Sequence, residues 1–266
     1  MATILDGKKL SEEIALKLKA QIEKLDTKPK LVIIQVGDLA ESNSYIKRKI
    51  SFASDIGAIV EHKKYPEDVT EENLITDIQK LNANKTIHGI IVQLPIPSHL
   101  ETAKILRSVD AKKDIDGFSG TFSYPTAQGI ITLLSKYRIA IAGKKVTVVG
   151  TSDLVGKPIA MTLLENGATV TMCNKQTKDL PEETRRSEIL VVAAGHPILI
   201  GHKHVSIGQT VIDVGITVVD KKVIGDVDFE NVEKIVGAIT PVPGGVGPMT
   251  IASLFQNLLQ AYKLQT

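Results

Sequence analysis

The 266-residue chain contains one cysteine, Cys173, no tryptophan and only 4% aromatic residues. A single cysteine excludes an internal disulfide and is typical of a protein from a reducing cytoplasm. The chain also lacks any uninterrupted run of about 18 apolar residues, the length that a membrane-spanning helix requires. Its first residues lack the apolar stretch of a signal peptide. We therefore expect a cytoplasmic protein without a membrane span.

An excess of charge of either sign is absent as well. The chain has 32 basic and 30 acidic residues and a net charge of +2, which gives no electrostatic basis for binding nucleic acid or a membrane surface. A complete metal-ligand pattern is also missing, because His202 and His204 alternate without a third ligand at suitable spacing. We expect no nucleic acid, no membrane and no metal as a partner.

What is present is an ordinary globular composition, with strand-like and helical segments taking turns along the chain. The strand-like runs cover residues 31–36, 58–63, 87–92, 145–149, 169–173, 189–193, 210–214 and 235–239. The amphipathic helical patterns cover residues 11–25, 42–56, 70–82, 127–136, 154–166 and 251–264. Most of the strands are continuous Val/Ile-rich runs, as in parallel strands covered on both faces. The sequence therefore predicts a doubly wound α/β fold, with a domain boundary near 139–143 where a second βαβ series begins.

A glycine-containing turn follows the strand at 145–149 and leads into a helix. It runs through Gly150, Thr151 and Ser152 to Val155. In dinucleotide-binding folds such a turn brings the pyrophosphate to the helix N-terminus, where glycine allows a close approach. Ser152 stands where the G-x-G-x-x-G motif has its second glycine, so the motif by itself is a weak signal.

The next strand, at 169–173, ends in Asn174 and Lys175 rather than in an acidic residue. An Asp or Glu at this place binds the ribose of NAD, and it would repel the 2′-phosphate of NADP. Lys175 can pair with that phosphate, so the sequence favours NADP and leaves NAD possible. The alternative is that Lys175 is an ordinary surface lysine.

The segment 240–250 holds three prolines and three glycines, a composition unsuited to the interior of a helix or strand. Proline fixes φ and glycine permits positive φ, so a rigid loop with one backbone path is predicted. In such a loop, Pro243, Gly244 and Gly245 let backbone N–H groups approach a ligand closely. A tight connection between a sheet and the final helix explains the same residues equally well.

Candidate catalytic side chains lie in the first half of the chain. Tyr45 and Lys49 are four residues apart on a predicted helix, so they share a face where a phenol can lower the pKa of an ammonium or share its proton. Gln93 follows a buried strand, at the end where parallel sheets bind ligands. Asp114 and Asp116 offer two carboxylates. Taken singly, each of these residues also fits a solvated helix face, a turn or a helix cap.

In combination these segments resemble one family, the bifunctional methylenetetrahydrofolate dehydrogenase/methenyltetrahydrofolate cyclohydrolases. The resemblance extends from Asp6 to the last helix. The matching segments are 45–49, 89–95, 113–117, 155–158, 211–216, 223–227 and 240–250. It implies two α/β domains with a folate cleft between them, tetrahydrofolate derivatives as substrates, and a homodimer. The catalytic, folate-binding domain would comprise 1–138 completed by 250–266, and the Rossmann-like NAD(P)-binding domain 139–249.

The resemblance also assigns a role to each candidate residue. Lys49 is central to catalysis, and Gln93 holds it in position and tunes its protonation. Tyr45 stacks on the pterin, and Asp116 accepts hydrogen bonds from pterin nitrogens. The remaining folate-binding residues are Pro243, Gly244 and Gly245. The cofactor-binding residues are Gly150, Thr151, Ser152, Val155, Asn174, Lys175 and Ile216, the last at the nicotinamide end.

Two reactions follow from the resemblance: oxidation of 5,10-methylenetetrahydrofolate with NADP, and hydrolysis of the resulting 5,10-methenyl form to 10-formyltetrahydrofolate. Relatives usually carry Arg where this chain has Thr151, and a longer segment where it has the link 118–128. A monofunctional NAD(P)-dependent dehydrogenase with weak hydrolysis is therefore an alternative. A shikimate-type dehydrogenase and a non-catalytic dinucleotide-binding subunit are two others.

Overall fold

The structure, a computed structural model, describes residues 1–219 and 222–266. Helices alternate with strands, as predicted. The helices are α1 (Gly7–Ile22), α2 (Ala40–Ile56), α3 (Glu71–Ala83), α4 (Thr102–Arg107), α5 (Pro125–Lys136), α6 (Gly156–Glu165), α7 (Leu180–Arg185), α8 (Phe229–Val232) and α9 (Val246–Gln265). The strands are β1 (Thr3–Ile4), β2 (Lys30–Val36), β3 (Ile59–Tyr65), β4 (Gly89–Val92), β5 (Lys145–Val149), β6 (Thr169–Cys173), β7 (Ile189–Val192), β8 (Thr210–Asp213), β9 (Thr217–Val219), β10 (Lys222–Ile224) and β11 (Ala238–Ile239).

The chain divides into two compact units. One comprises Met1–Ser11 and Thr126–Thr250, and the other comprises Glu12–Pro125 and Ile251–Thr266. We call the first the six-stranded unit and the second the three-stranded unit, after their parallel sheets. Among the described residues no helix is both long enough and apolar enough to cross a bilayer.

The three-stranded unit is built on a parallel sheet in the order β3-β2-β4. Its central strand, β2, is apolar except for Lys30 and Gln35 and is buried along almost its whole length, as expected for a strand covered on both faces. The last helix contributes to this unit. Asn257 Nδ2 donates hydrogen bonds to the carbonyl oxygens of Ile115 and Ser123, and the Phe255 ring stacks on Phe52. The expected return of the C-terminal helix is thereby confirmed.

The six-stranded unit carries a sheet in the order β1-β11-β8-β7-β5-β6, and every neighbouring pair in it is parallel. From β5 the chain moves outward to β6 and then returns to the other side at β7. The strand order therefore reverses between β5 and β7, which makes their carboxyl ends the switch point where doubly wound sheets bind ligands. The predicted α/β class is confirmed.

Several elements differ from the sequence expectation. The two-residue strand β1 was not predicted, because its only support is pairing with β11, more than two hundred residues away. This pairing groups the first eleven residues with the six-stranded unit, and helix α5 joins it too. The boundary at 138/139, predicted from the start of the second βαβ series, stays a prediction, while the two compact units meet in sequence at residues 125 and 126.

The rigid loop predicted at 240–250 is shorter than expected, because α9 already begins at Val246. Pro248 lies in the first turn of this helix, where its missing N–H has no intrahelical partner to lose. The loop proper runs over 240–245. The peptide bond between Val242 and Pro243 is cis, and Gly244 has a φ of +115°.

Candidate active site

Helix α2 carries Tyr45 and Lys49, as the sequence predicted. The Lys49 Nζ atom donates a hydrogen bond of 3.0 Å to Oε1 of Gln93, which follows β4. The Gln93 Nε2 atom donates to the carbonyl oxygen of Leu94 at 2.8 Å. This second bond fixes the orientation of the amide, so its oxygen is turned toward the lysine.

The ionisation of Lys49 is set by burial and by Asp116. Burial lowers the pKa of Lys49, and the charge of Asp116 opposes that shift. Burial likewise raises the pKa of Asp116 to about 6, while Lys49 opposes the shift and Asp114 adds to it. Because the direct hydrogen-bond partner of the lysine is a neutral amide, the ammonium form gains less from it than from a carboxylate. The arrangement favours an amine that can exchange a proton.

The two carboxylates that the sequence left open have different surroundings. Asp114 is buried, and its Oδ2 atom accepts the backbone N–H of Ser119. It also forms an isolated parallel bridge with Ile90 of β4, which holds the segment beside the sheet. Asp116 is the carboxylate that interacts with Lys49. Asp114 therefore shapes the turn, and Asp116 is the candidate for contact with a substrate.

Tyr45 is partly buried on the same helix, and burial raises the pKa of its phenol, with Arg48 opposing the shift. The phenol is therefore neutral near pH 7. The guanidinium carbon of Arg48 lies 5.8 Å from the centre of the Tyr45 ring. This distance is typical of a cation–π contact, which limits the orientations available to the ring.

The turn after β5 is as tight as a dinucleotide site requires. Gly150 has a φ of +121°, and a Cβ atom at this position would overlap the carbonyl oxygen of Ala193. A Cβ at Gly156 would overlap the carbonyl oxygen of Gly150 in turn. The Ser152 Oγ atom accepts the backbone N–H of Gly156 at 3.2 Å, at the start of α6. The turn thus offers a narrow backbone cradle that fits a pyrophosphate at a helix N-terminus.

The other predicted residues of this turn lie beside the cradle. Thr151 is partly buried directly after Gly150, and Val155 is the N-cap residue of α6, with no hydrogen bond from its side chain. The Ser152 side chain therefore caps the first N–H of the helix, and its next free N–H groups can bind an anion. At the end of β6, Asn174 Oδ1 accepts the N–H of Gln176 at 2.9 Å, and Lys175 is exposed.

The folate and nicotinamide candidates of the second half also belong to the six-stranded unit. The backbone N–H of Lys8 donates to Gly244 O at 2.8 Å, and that of Gly245 donates to Pro241 O at 2.8 Å, so the loop is held at both ends. Ile216 follows β8, and its Cδ1 atom is 3.6 Å from the place of a Cβ on Gly247. Ile216 therefore lies beside the first turn of α9.

The structure brings Lys49, Gln93 and Asp116 together within the three-stranded unit. The cofactor candidates gather at the carboxyl ends of β5, β6 and β8 in the six-stranded unit.

Sequence reasoning did not single out Asp213 and Asp226, two buried acids at the ends of strand-like runs. The signal available was an acid within two residues of a glycine in each of the Val/Ile-rich segments 211–216 and 223–227. His204 Nδ1 accepts the N–H of Gly201 at 3.1 Å, which gives this histidine a local structural role.

Comparison with known proteins gives matches over both parts of the chain. The family model described as the catalytic domain of tetrahydrofolate dehydrogenase/cyclohydrolase matches residues 5–116, and the model of its NAD(P)-binding domain matches residues 124–266. The bifunctional protein FolD of Nautilia profundicola is 45% identical over 276 residues, covering 98% of this chain and 97% of its own.

Two solved structures are similar over the full length. The bifunctional FolD methylenetetrahydrofolate dehydrogenase/cyclohydrolase of Campylobacter jejuni has a TM-score of 0.97 at 39% identity, covering 100% of each chain. The methylenetetrahydrofolate dehydrogenase-cyclohydrolase of Trypanosoma brucei, solved with NADP and an inhibitor, has a TM-score of 0.95 at 32% identity. That match covers 99% of this chain and 98% of the other.

Proposed function

The chain belongs to the tetrahydrofolate dehydrogenase/cyclohydrolase family, and from the site described above we infer how it performs the two reactions of that family. It oxidises 5,10-methylenetetrahydrofolate to the 5,10-methenyl form with NADP, and it hydrolyses the product to 10-formyltetrahydrofolate. Membership in this family decides against a shikimate-type dehydrogenase and a non-catalytic subunit. The observation that carries the mechanism is the hydrogen bond from Lys49 to Gln93 beside Asp116.

Lys49 is the general base of the hydrolysis in this proposal. Water adds to the methenyl carbon, and its proton must be taken up as the C–O bond forms. Burial lowers the pKa of Lys49, so a larger share of the amine is free to accept that proton near neutral pH. Gln93 holds the amine in place through its amide oxygen without stabilising the charged form as a carboxylate would. The bond from this carbon to N5 then breaks as N5 takes up the proton held by Lys49 and the new hydroxyl loses its own, which gives the 10-formyl product.

Oxidation makes a different demand on the chain. Bound NADP supplies the hydride acceptor, and the nitrogen beside the methylene carbon supplies the electron pair that expels the hydride. The chain's own residues therefore mainly hold the two molecules in position, and no side chain has to move a proton. Partial hydride transfer is thus expected to survive the loss of Lys49.

We assign folate binding to the residues that the sequence predicted for it. Asp116 accepts hydrogen bonds from pterin nitrogens, and Tyr45 stacks on the pterin with its neutral ring. For Pro243, Gly244 and Gly245 we keep the predicted role in folate binding. The support is the partial burial of Asp116 and Tyr45 and the anchoring of the loop at both ends.

NADP is held by the cradle after β5 and by the ends of β6 and β8. Gly150 and the α6 N-terminus bind the pyrophosphate, with Thr151, Ser152 and Val155 alongside, and Ile216 contacts the nicotinamide end. Asn174 and the exposed Lys175 accommodate the 2′-phosphate, because the place of the usual ribose-binding carboxylate is taken by an amide.

A homodimer forms, in this proposal, through the free edge of the six-stranded sheet. Strand β6 pairs only with β5 among the described residues. Beside it, Met161 and Leu164 of α6 and Met172 of β6 are 55%, 51% and 37% exposed. A strand with one unpaired edge, flanked by apolar side chains, is suited to pairing with the same strand of a second copy.

The lone buried Cys173 supports a reducing, cytoplasmic location.

A coupled assay tests the two activities together. Purified protein is mixed with 5,10-methylenetetrahydrofolate and either NADP⁺ or NAD⁺, and the reduced nicotinamide and the methenyl product are followed optically. We expect reduction of NADP⁺ in preference to NAD⁺, and decay of the methenyl signal faster than in buffer. Oxidation without accelerated decay would support the monofunctional alternative, and no reduction with either cofactor would contradict the assignment.

A further inference from the structure

A buried carboxylate network lies at the carboxyl ends of β7 and β8 in the six-stranded unit, beside the cofactor candidates. Asp213, the last residue of β8, is 3% exposed. Its Oδ1 atom accepts the backbone N–H groups of Gly215 at 2.9 Å and of Asp226 at 3.1 Å. Its Oδ2 atom accepts that of Val227 at 3.0 Å. Both oxygens of Asp213 are therefore occupied by backbone donors.

Asp226 has a different pattern. It is fully buried, and its Oδ2 atom accepts the N–H groups of Ala194 at 2.7 Å and of Gly195 at 2.8 Å, in the segment that follows β7. Its Oδ1 atom is buried and makes no hydrogen bond of ordinary geometry among the residues that the structure describes, while the backbone N–H of His196 is close enough to lower the pKa of Asp226. Oδ2 of Asp226 therefore accepts both of these hydrogen bonds, and Oδ1 accepts none of ordinary geometry.

The two carboxylates pack directly against glycine backbone. A Cβ atom at Gly215 would overlap the carboxylate of Asp226, and a Cβ at Gly225 would overlap Oδ2 of Asp213. The backbone that precedes Ile216 is thus enclosed by carboxylate atoms on one side. It is also fixed by its own hydrogen bond to Asp213.

A further bond connects this network to the end of β11. The backbone N–H of Asp213 donates to Oγ1 of Thr240 at 2.7 Å, and Thr240 begins the loop that carries Pro243 and Gly244. The network therefore joins the segments that follow β7, β8 and β11. These are the strand ends at which a doubly wound sheet binds its ligands.

Burying two carboxylates in one network costs folding free energy, and a functional or structural gain has to offset that cost. Burial raises the pKa of Asp213 to about 7 and also raises the pKa of Asp226. Ordinary loop connections need no buried carboxylates, since backbone or amide groups can close them. Together the two acids hold five backbone N–H groups in fixed positions beside the predicted nicotinamide contact.

We propose that Asp213 and Asp226 are positioning residues for NADP, which fix the segments 194–196 and 214–216 so that Ile216 and its neighbouring backbone meet the nicotinamide end. This inference rests on the proposed NADP-dependent oxidation. Neither acid is a catalytic residue, because both act through backbone groups. The uneven use of their oxygens makes the proposal testable by substitution.

An amide can replace Asp226 but not Asp213. In Asp226→Asn the amide oxygen can take the place of Oδ2, and the NH₂ group falls where Oδ1 now accepts no hydrogen bond of ordinary geometry. In Asp213→Asn one backbone donor must face an NH₂ group, because both oxygens are in use. In Asp226→Ala both bonds to the 194–195 segment are lost.

The test is isothermal titration of each variant with NADP⁺, together with both activities, the hydrolysis being measured without cofactor. We expect Asp226→Ala to raise the Kd for NADP⁺ about tenfold or more, as loss of hydrogen bonds to a charged group implies. Asp213→Asn should raise this Kd by the next largest factor, and Asp226→Asn should raise it least. The kcat of oxidation should fall in the same order while hydrolysis persists. Asp228→Asn is the matched control, since the carboxylate of Asp228 accepts a hydrogen bond from Asn231 nearby and none from the segments 194–196 and 214–216, so this variant should bind NADP⁺ normally.

The outcomes separate the two proposals. An unchanged Kd in folded Asp226→Ala protein would overturn the positioning role. An equal loss of oxidation and hydrolysis, in parallel with the melting temperature, would also overturn it, because the pair would then serve folding alone. Failure of the unsubstituted protein to oxidise methylenetetrahydrofolate would instead contradict the proposed function.

Discussion

The carboxylate beside Lys49 in the three-stranded unit and the Asp213–Asp226 pair in the six-stranded unit have different partners. Asp116 in the three-stranded unit interacts with the ammonium of Lys49, whose own hydrogen bond goes to a neutral amide. Asp213 and Asp226 in the six-stranded unit bind backbone N–H groups. A carboxylate beside a titrating amine influences the pKa of that amine, whereas one that accepts backbone N–H groups fixes the backbone geometry. The difference suggests that the three-stranded unit supplies the reacting side chains and that the six-stranded unit positions the cofactor.

The sharpest test of this difference is Lys49→Met. We expect hydrolysis to fall by about 10³-fold, since a general base contributes on this scale, and oxidation to fall by less than about tenfold. Steady-state assays of the two reactions on one preparation give the ratio. Lys47→Met, an exposed position on the same helix, is the matched control and should leave both rates unchanged. Equal loss of both activities with folate binding intact would refute the division of labour.

A second substitution, Asp116→Asn, should affect both reactions alike. If the carboxylate binds the pterin, both need it, and kcat/KM for each should fall by about 10- to 100-fold, as expected for a hydrogen bond to a charged group. The measurement is the KM for methylenetetrahydrofolate and for the methenyl substrate. A selective loss of hydrolysis would contradict pterin binding and place Asp116 in the proton transfer.

The six-stranded unit is tested by Gly150→Ala. The positive φ and the overlap of a Cβ with Ala193 O make this change strained, at a cost of about 1–3 kcal/mol in stability. We expect the Kd for NADP⁺ to rise about tenfold, with hydrolysis retained. Gly201→Ala is the control, because a Cβ there meets no atom within 4 Å. Normal NADP⁺ affinity in Gly150→Ala would argue against the cradle.

The smallest predicted effect is a dependence of the free energy of unfolding on pH. Burial raises the pKa of Asp116 to about 6 from 3.8, so the folded protein binds a proton that the unfolded chain has already released. The contribution is fully present below about pH 4 and is lost as the pH rises through 6, with a slope of at most about 1.4 kcal/mol per pH unit. Chemical denaturation between pH 4 and 7 should show this slope, and Asp116→Asn should reduce it, leaving the part that the buried Asp213 contributes. An identical slope in both proteins would contradict it.

The sequence allowed prediction of those features that depend on local patterns. The strand, turn and helix around Gly150 follow from glycines after a buried run, and the shared face of Tyr45 and Lys49 follows from helical spacing. The partnership of Lys49 with Gln93 spans 44 residues, and only the family resemblance indicated it.

Other features needed the folded chain. Strand β1 has two residues, too few for a periodic pattern, and exists because β11 lies beside it. Asp213 and Asp226 look like ordinary strand and turn residues in sequence. Their role depends on backbone donors that are up to 32 positions away and meet them only when β7 and β8 pair.

The central claim, that a neutral partner keeps Lys49 able to accept a proton, is tested most directly by the pH profile of hydrolysis in the unsubstituted protein and in Gln93→Glu. After subtraction of the rate in buffer, the account predicts an inflection below the ordinary lysine pKa of 10.5 in the unsubstituted protein. In Gln93→Glu the inflection moves to higher pH, because a carboxylate stabilises the ammonium form. An inflection at the same pH in both proteins would contradict the account.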